Sequence, residues 1–167
     1  MMEIRRLDKT FLNEYKELSK TVLDLLQDKS WFIPFDEDVI DSMFEEDSSL
    51  IVYGCIIDGV LAAVSMLDLN WEEFIEIGEA ASIDLNKKGA EMGGSMVLPA
   101  FRGQNLMLEM NRALLEEAKK NQFSFLLATA HPDNKASNTS LQKLGFVHKN
   151  TIIRSGKYVR HVYAMEL

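Results

Sequence analysis

Apolar positions recur along the chain with two periods, and the switches between them mark out its elements. Residues 2–7 alternate weakly and predict a short first strand. From Thr10 to Gln27, Phe11, Tyr15, Leu18, Val22, Leu25 and Leu26 fall at helical spacing, with Asp8 or Thr10 as N-cap and Glu14 early in the helix. A second short helix is expected from Phe35-Asp36 through Met43 and Phe44. Residues 50–57 and 60–69 read as strands joined at Asp58-Gly59, a strong two-residue hairpin signal. Trp71–Lys88 has little clean periodicity and reads as a short helix plus a loop. Ala90–Leu98 is a strand interrupted by Gly93-Gly94. Leu106, Met110, Leu114 and Ala118 share one face of a helix expected over Arg102–Asn121. Phe123–Ala130 reads as a buried strand, and Asn138–Leu144 as a short helix ended by Gly145. Phe146–Leu167 reads as a closing hairpin that turns at Ser155-Gly156-Lys157.

The front half of this order is antiparallel, and the back half contains a strand–helix–strand unit. Together they predict a mixed α/β (α+β) domain over residues 1–167, with a mostly antiparallel central sheet of about 6–7 strands and helices on both faces. A doubly wound dinucleotide fold would need more parallel units and a G-x-G-x-x-G turn. At 167 residues the chain fits one domain with a sizeable core. Apolar residues make up 47% and charged residues 26%, with no apolar run long enough to span a bilayer and no secretion signal at the start. The expectation is a cytoplasmic protein without a membrane partner. Cys55 is the only cysteine, which excludes an internal disulfide and a multi-cysteine metal site. The net charge of −8 disfavours nucleic acid as a partner and draws cationic or amine substrates.

One stretch carries candidate chemistry. Residues 97–107 run from an apolar strand through a Pro-containing turn and Arg102-Gly103 into the best helix of the chain. Such a turn points several unpaired helical N–H groups, and the positive end of the helix dipole, at one place. That arrangement suits a phosphate and proposes an anionic cofactor carrying a pyrophosphate.

Val97-x-Pro99-x-Phe101-Arg102-Gly103, the helix ending in Glu-Glu-Ala-Lys-Lys, and His131-Pro132-Asp133-Asn134-x-x-Ser137 followed by Lys143-Leu144-Gly145-Phe146 together resemble the GNAT acyltransferase superfamily. The resemblance spans roughly residues 90–147; the front half agrees only in element order. It implies a single GNAT-like domain with splayed central strands, and acetyl-CoA as co-substrate. The pyrophosphate would rest on the backbone of Arg102, Gly103, Gln104, Asn105, Leu106 and Met107. The pantetheine arm would pair with the strand at Met96, Val97 and Leu98 like an added strand. Asn134 would hydrogen-bond the arm from the other side, helped by Ser137. Three positions depart from the family's pattern. Asn105 and Met107 stand where small residues are usual, and Leu141 stands where many members carry a Tyr that protonates the leaving thiolate.

The implied reaction moves an acetyl group to a primary amine of a small molecule or peptide by direct attack on the thioester. The alternative is a catalytically weak module that binds or senses acyl-CoA. An alkyl ammonium, like Lys with a pKa near 10.4, must first lose a proton. Period-two alternation puts Glu91, Gly93, Ser95 and Val97 on one strand face, unless a bulge at the glycines breaks the parity. Glu91 is therefore the candidate base, acting through water, and a strand N–H near Met96–Leu98 is the candidate oxyanion donor. Tyr158 and Tyr163 are the available acids for the thiolate, and a CoA thiol can also leave without one. His131, His148 and His161 lack ligand spacing, so no metal is expected. Trp31, Phe32, Phe35 and Trp71 read as acceptor-pocket or packing residues, and Glu72, Glu73, Glu76 and Glu79 as a solvated face or an acidic lip. The state of assembly stays open between monomer and homodimer.

Overall fold

The computed structural model describes residues 1–167. Strands Met2–Arg6 (β1), Leu50–Ile57 (β2), Val60–Asp68 (β3), Gly89–Val97 (β4), Phe125–Ala130 (β5), Val147–Arg154 (β6) and Tyr158–Glu166 (β7) form one sheet in the order β1-β2-β3-β4-β5-β7-β6. Only β4 and β5 pair in parallel; every other neighbour is antiparallel. The hairpin at Asp58-Gly59 forms as the sequence predicts, with φ of 50° and 82° at the two positions, the left-handed pair that a type I′ turn requires.

Helices Leu12–Asp24 (α1), Glu37–Ser42 (α2), Trp71–Ala80 (α3), Leu106–Lys120 (α4) and Lys135–Leu144 (α5) cover both faces. The segment 71–88 is a short helix, α3, followed by a loop over residues 81–88, as expected. Asn70 Oδ1 caps it by accepting from Glu72 N–H, and Phe74 and Ile77 give it a buried stripe that the surrounding glutamates obscure in the sequence. Two boundaries differ from the sequence expectation for local reasons. Gly103 and Asn105, with φ of 81° and 59°, cannot continue a right-handed helix backward from Leu106, so α4 starts there and not at Arg102. Asn134 Oδ1 accepts from Ser137 N–H, so α5 starts at Lys135 and not at Asn138.

Alternation along the strands sorts the core into two layers. Tyr15, Leu18 and Val22 of α1 pack on Val64, Met66 and Met96, and Phe74 and Ile77 of α3 pack on Leu127, Val162 and Ala164 of the same face. Leu114, Leu115 and Ala118 of α4 pack on Leu67, Met92, Leu126 and Ala128 of the other. Fully burying such an aliphatic side chain contributes about 1.5–3 kcal/mol.

Two irregularities in β4 prepare the site. Met66 pairs with Gly93 and Val64 with Met96, so one residue of β3 faces two of β4. Gly94, with φ of 62°, carries this bulge. A side chain there would be strained, and its Cβ would stand 2.9 Å from Met66 Cε. Ser65 Oγ pins the bulge to α4 through hydrogen bonds of 2.7 Å to Ser95 Oγ and 2.7 Å to Asn111 Oδ1. Further along, β4 and β5 pair only over Gly89–Glu91 and Phe125–Leu127, and then separate. The splayed strands implied by the family resemblance are thus present.

Candidate functional site

The gap between β4 and β5 opens into a cleft of about 1220 Å³ that runs from the start of α4 and α5 to the chain connecting α1 and α2. One end is a backbone cradle. The N–H groups of Gly103 through Leu108 have no acceptor within the protein, and Asn105, at the N-cap, accepts from none of them with its side chain. Gly103 supplies the left-handed turn, and nothing lies within 4 Å of where its Cβ would be. The free amides and the N-terminus of a 15-residue helix make a site for an anion. Arg102, Gly103, Asn105 and Met107 line this end. Met107 Sδ accepts from Ser137 Oγ on α5 at 4.0 Å, and the side chain lines the cleft where the two helices meet.

In the middle of the cleft the backbone of β4 is exposed on its β5 side. Leu98 N–H donates to Ala62 of β3 at 2.8 Å, so by antiparallel alternation Met96 also faces β3. The N–H and C=O of Val97 therefore point into the gap. Of the three positions expected to meet the arm, Val97 has the free backbone groups; Met96 contributes a side chain to the lining, and Leu98 packs toward α1. Opposite stand Asn134, Ser137, Ser140 and Leu141. Asn134 Oδ1 is spent on the helix cap and its Nδ2 is free to donate. Ser140 Oγ is the one buried side-chain polar atom without a hydrogen-bond partner. Gln104 and Leu106 do not line the cleft; Leu106 packs on Ala62 and Ala63, and both contribute only their N–H groups.

The far end holds the titratable groups. The bulge inverts the parity expected from simple alternation: Glu91 lies on the α1/α3 face with Gly93 and Met96, while Val97 packs on the α4 face against Cys55 and Met110. Glu91 is not left to water. Its two oxygens accept from Arg154 at 2.6 and 2.7 Å, with both side chains largely buried. Arg154 also donates to Thr129 Oγ1 and to the Glu73 carbonyl of α3. Burial works against the Arg154 charge, but the Glu91 carboxylate outweighs it and holds the guanidinium above its ordinary value.

Asp68 is directly opposite Glu91 on β3, lines the same cleft, and was not singled out by the sequence. Its Oδ1 accepts from Asn70 N–H and Ser49 Oγ–H, while Oδ2 has no partner. Burial pushes this carboxyl above the ordinary Asp value, and the nearby Glu91 and Glu73 charges add to that, against the pull of its two hydrogen bonds. The only hint in the sequence is the Asp68-x-Asn70 run, which reads as turn chemistry.

Neither tyrosine reaches the cleft. Tyr163 is buried and donates to Asn138 Oδ1, and Tyr158 lies beneath Lys157 and Arg160. Trp31, Phe32 and Phe35 line the roof, whereas Trp71 is exposed at the start of α3. Cys55 is fully buried, and no cluster of His, Cys, Asp and Glu is arranged to hold a metal.

A family model described as an acetyltransferase (GNAT) domain matches residues 13–147. Solved structures of similar fold include an N-acetyltransferase from Staphylococcus aureus Mu50, at 20% identity and a TM-score of 0.74 over 99% of this chain and 97% of that one. The ribosomal-protein-S18-alanine N-acetyltransferase of Escherichia coli matches at 16% identity and 0.71, over 99% and 94%. The protein yncA of Salmonella typhimurium, solved with its cofactor acetyl-CoA, matches at 18% and 0.74, over 99% and 94%. No curated protein matches the sequence.

Proposed function

The chain belongs to the acetyltransferase (GNAT) family, and on that premise we propose that it transfers an acetyl group from acetyl-CoA to the primary amine of a small molecule or peptide. The observation that carries this reading is the run of unpartnered N–H groups from Gly103 to Leu108 at the mouth of a cleft between splayed strands. The residues fit the co-substrate on three counts. The cradle matches a pyrophosphate, the Val97 C=O offers an acceptor to an extended amide arm, and the orphan Ser140 Oγ and free Asn134 Nδ2 face that arm from α5.

Acetyl-CoA brings an acyl group activated as a thioester, so the chain's own work is to position, to polarise and to move protons. Val97 N–H, fixed by the strand and turned away from β3, serves as the oxyanion donor. Asp68 takes the role first assigned to Glu91. A carboxylate with both oxygens bonded to a guanidinium is poorly placed to accept a proton. Asp68 has a free oxygen, and its environment moves its proton affinity toward a useful range. The Glu91–Arg154 pair then positions the floor of the acceptor site. Leu141 offers no acid, Tyr158 and Tyr163 are elsewhere, and the thiolate leaves on its own or with help from Ser140 Oγ–H.

The test is mass spectrometry of a library of amines incubated with acetyl-CoA, alongside calorimetry of acetyl-CoA binding. N-acetylated product that forms only with active protein supports the reading. Binding without any product would favour the module that only senses acyl-CoA.

A further inference from the structure

Arg160 of β7 is only 2% exposed, yet no carboxylate oxygen lies within 4.0 Å of its guanidinium. Its side chain is on the face shared by Val162, Ala164 and α3, and it lines the acceptor end of the cleft. It donates to two backbone carbonyls, Ser30 at 2.7 Å and Val159 at 2.8 Å, which leaves three of its five N–H groups without a protein partner. Of the acids whose charge reaches it, Glu91 is bonded to Arg154, and Asp28, whose Oδ1 accepts from the N–H and hydroxyl of Ser30, stays beyond ion-pair distance. Burial, and then the charge of Arg154, push Arg160 below its ordinary value, although it stays a cation. Arg154 and Arg160 thus stand near enough for their charges to oppose each other, and Glu91 bonds only Arg154. A buried guanidinium is costly unless an anion meets it, and two carbonyl dipoles and the Tyr158 ring, 5.3 Å away, do not neutralise it.

We propose that Arg160 receives a carboxylate carried by the ligand, and that the acceptor is an amine bearing its own carboxylate, that is, a free amino acid. The inference rests on the acetyltransferase reading of the cleft. The carboxylate could in principle enter on the acceptor or on the acyl group of a dicarboxylic thioester. Position favours the acceptor: Arg160 bonds the Ser30 carbonyl, next to Trp31 of the roof, and its strand is two beyond β4, where the thioester arm is expected to lie. The sign of the interior also separates two roles of charge. The acidic surface attracts amines in general, and the cationic floor selects those that carry an anion. Planar, bidentate recognition of a carboxylate is what a guanidinium with free N–H groups provides.

The experiment compares common L-α-amino acids and short ω-amino acids with their carboxamides, each with acetyl-CoA and wild-type protein, and measures both kcat/KM and acceptor binding in the presence of CoA. At least one amino acid is expected to be acetylated, and to bind, on the order of 10–100-fold better than its carboxamide, the range of a charge-assisted hydrogen bond. The same pair with Arg160→Lys, checked for an unchanged melting temperature and unchanged acetyl-CoA affinity, should lose most of that preference through KM. Replacing acetyl-CoA by succinyl-CoA with carboxamide acceptors tests the other source, and faster turnover there would place the carboxylate on the acyl group and overturn the proposal. Equal use of acids and carboxamides, or acetyl-CoA binding with no amino acid accepted, would also overturn it. Failure of acetyl-CoA to bind would instead remove the acetyltransferase reading itself. Because the acid–amide comparison uses wild-type protein, it decides the question even if Arg160 variants do not fold.

Discussion

At the scale of single residues, Asp68 and Asn134 separate chemistry from structure. A carboxyl whose folded pKa is raised binds protons more tightly in the native state than in the unfolded one. Stability therefore falls as pH rises from the ordinary Asp range through the folded value, and the cost is fully present above it. Asp68→Asn removes this cost and keeps an oxygen for Asn70 N–H. It should raise stability to urea at neutral pH, with the gain vanishing at acid pH, while kcat falls about 10²–10⁴-fold and the acid limb of the rate profile disappears. A normal acid limb in Asp68→Asn would remove it as base. Glu91→Gln should instead show itself in unfolding, because it leaves Arg154 buried without its counter-charge, a loss of about 3–5 kcal/mol. Asn134→Asp retains the oxygen that caps α5 but loses the Nδ2 donor. Its melting temperature should hold while acetyl-CoA affinity drops by about 1–2 kcal/mol in calorimetry. These roles were only partly legible in the sequence. Asn134 and Ser137 stood in a motif. Arg160 shares strand parity with Val162 and Ala164, so an inward arginine could have been read from alternation alone. The Glu91–Arg154 pair joins residues 63 positions apart, and no local pattern signals it.

Among the elements, β4 and the turn into α4 determine what the cleft can do. Regular alternation would have put Glu91 and Val97 on one face; the bulge at Gly94 puts them on opposite faces and leaves the Val97 backbone toward the gap. Gly94→Ala combines left-handed strain with a clash against Met66, so it should cost about 1–2 kcal/mol in urea unfolding and also weaken acetyl-CoA binding. Gly59→Ala, at φ of 82° with nothing within 4 Å of the new Cβ, carries similar strain in a hairpin turn that does not line the cleft and should leave that affinity unchanged. Equal affinity in both variants would show that the bulge does not set the site. The strands, hairpin turns and α4 were readable because their periods are clean. α3 was legible only as a short helix plus a loop without its bounds, because its buried stripe is short and set among glutamates, and the start of α4 was placed at Arg102 because the apolar period does not report the left-handed φ of Gly103 and Asn105.

Taken as a whole, the molecule divides its labour between faces and ends. α4 and α5 bring free N–H groups and the Asn134 amide to one end of the cleft. The other face, under α1, α3 and the roof, brings Asp68, Arg154 and Arg160 to the opposite end. The order of elements in the sequence was enough to predict the mixed sheet and its helical layers, since hairpins and one crossover leave few topologies. The acceptor end depends on side chains from β3, β4, β6, β7 and the α1–α2 connection meeting in space, and that convergence appears only in the folded chain. The central claim is that the amides of Gly103 through Leu108 hold the pyrophosphate of acetyl-CoA. The direct measurement is a titration of ¹⁵N-labelled protein with acetyl-CoA followed by amide NMR, run in parallel on Gly103→Pro. Saturable shifts largest at residues 103–108, lost in the proline variant while it remains folded, are the predicted result. Binding that leaves those amides unshifted, or that survives Gly103→Pro at full affinity, would contradict it.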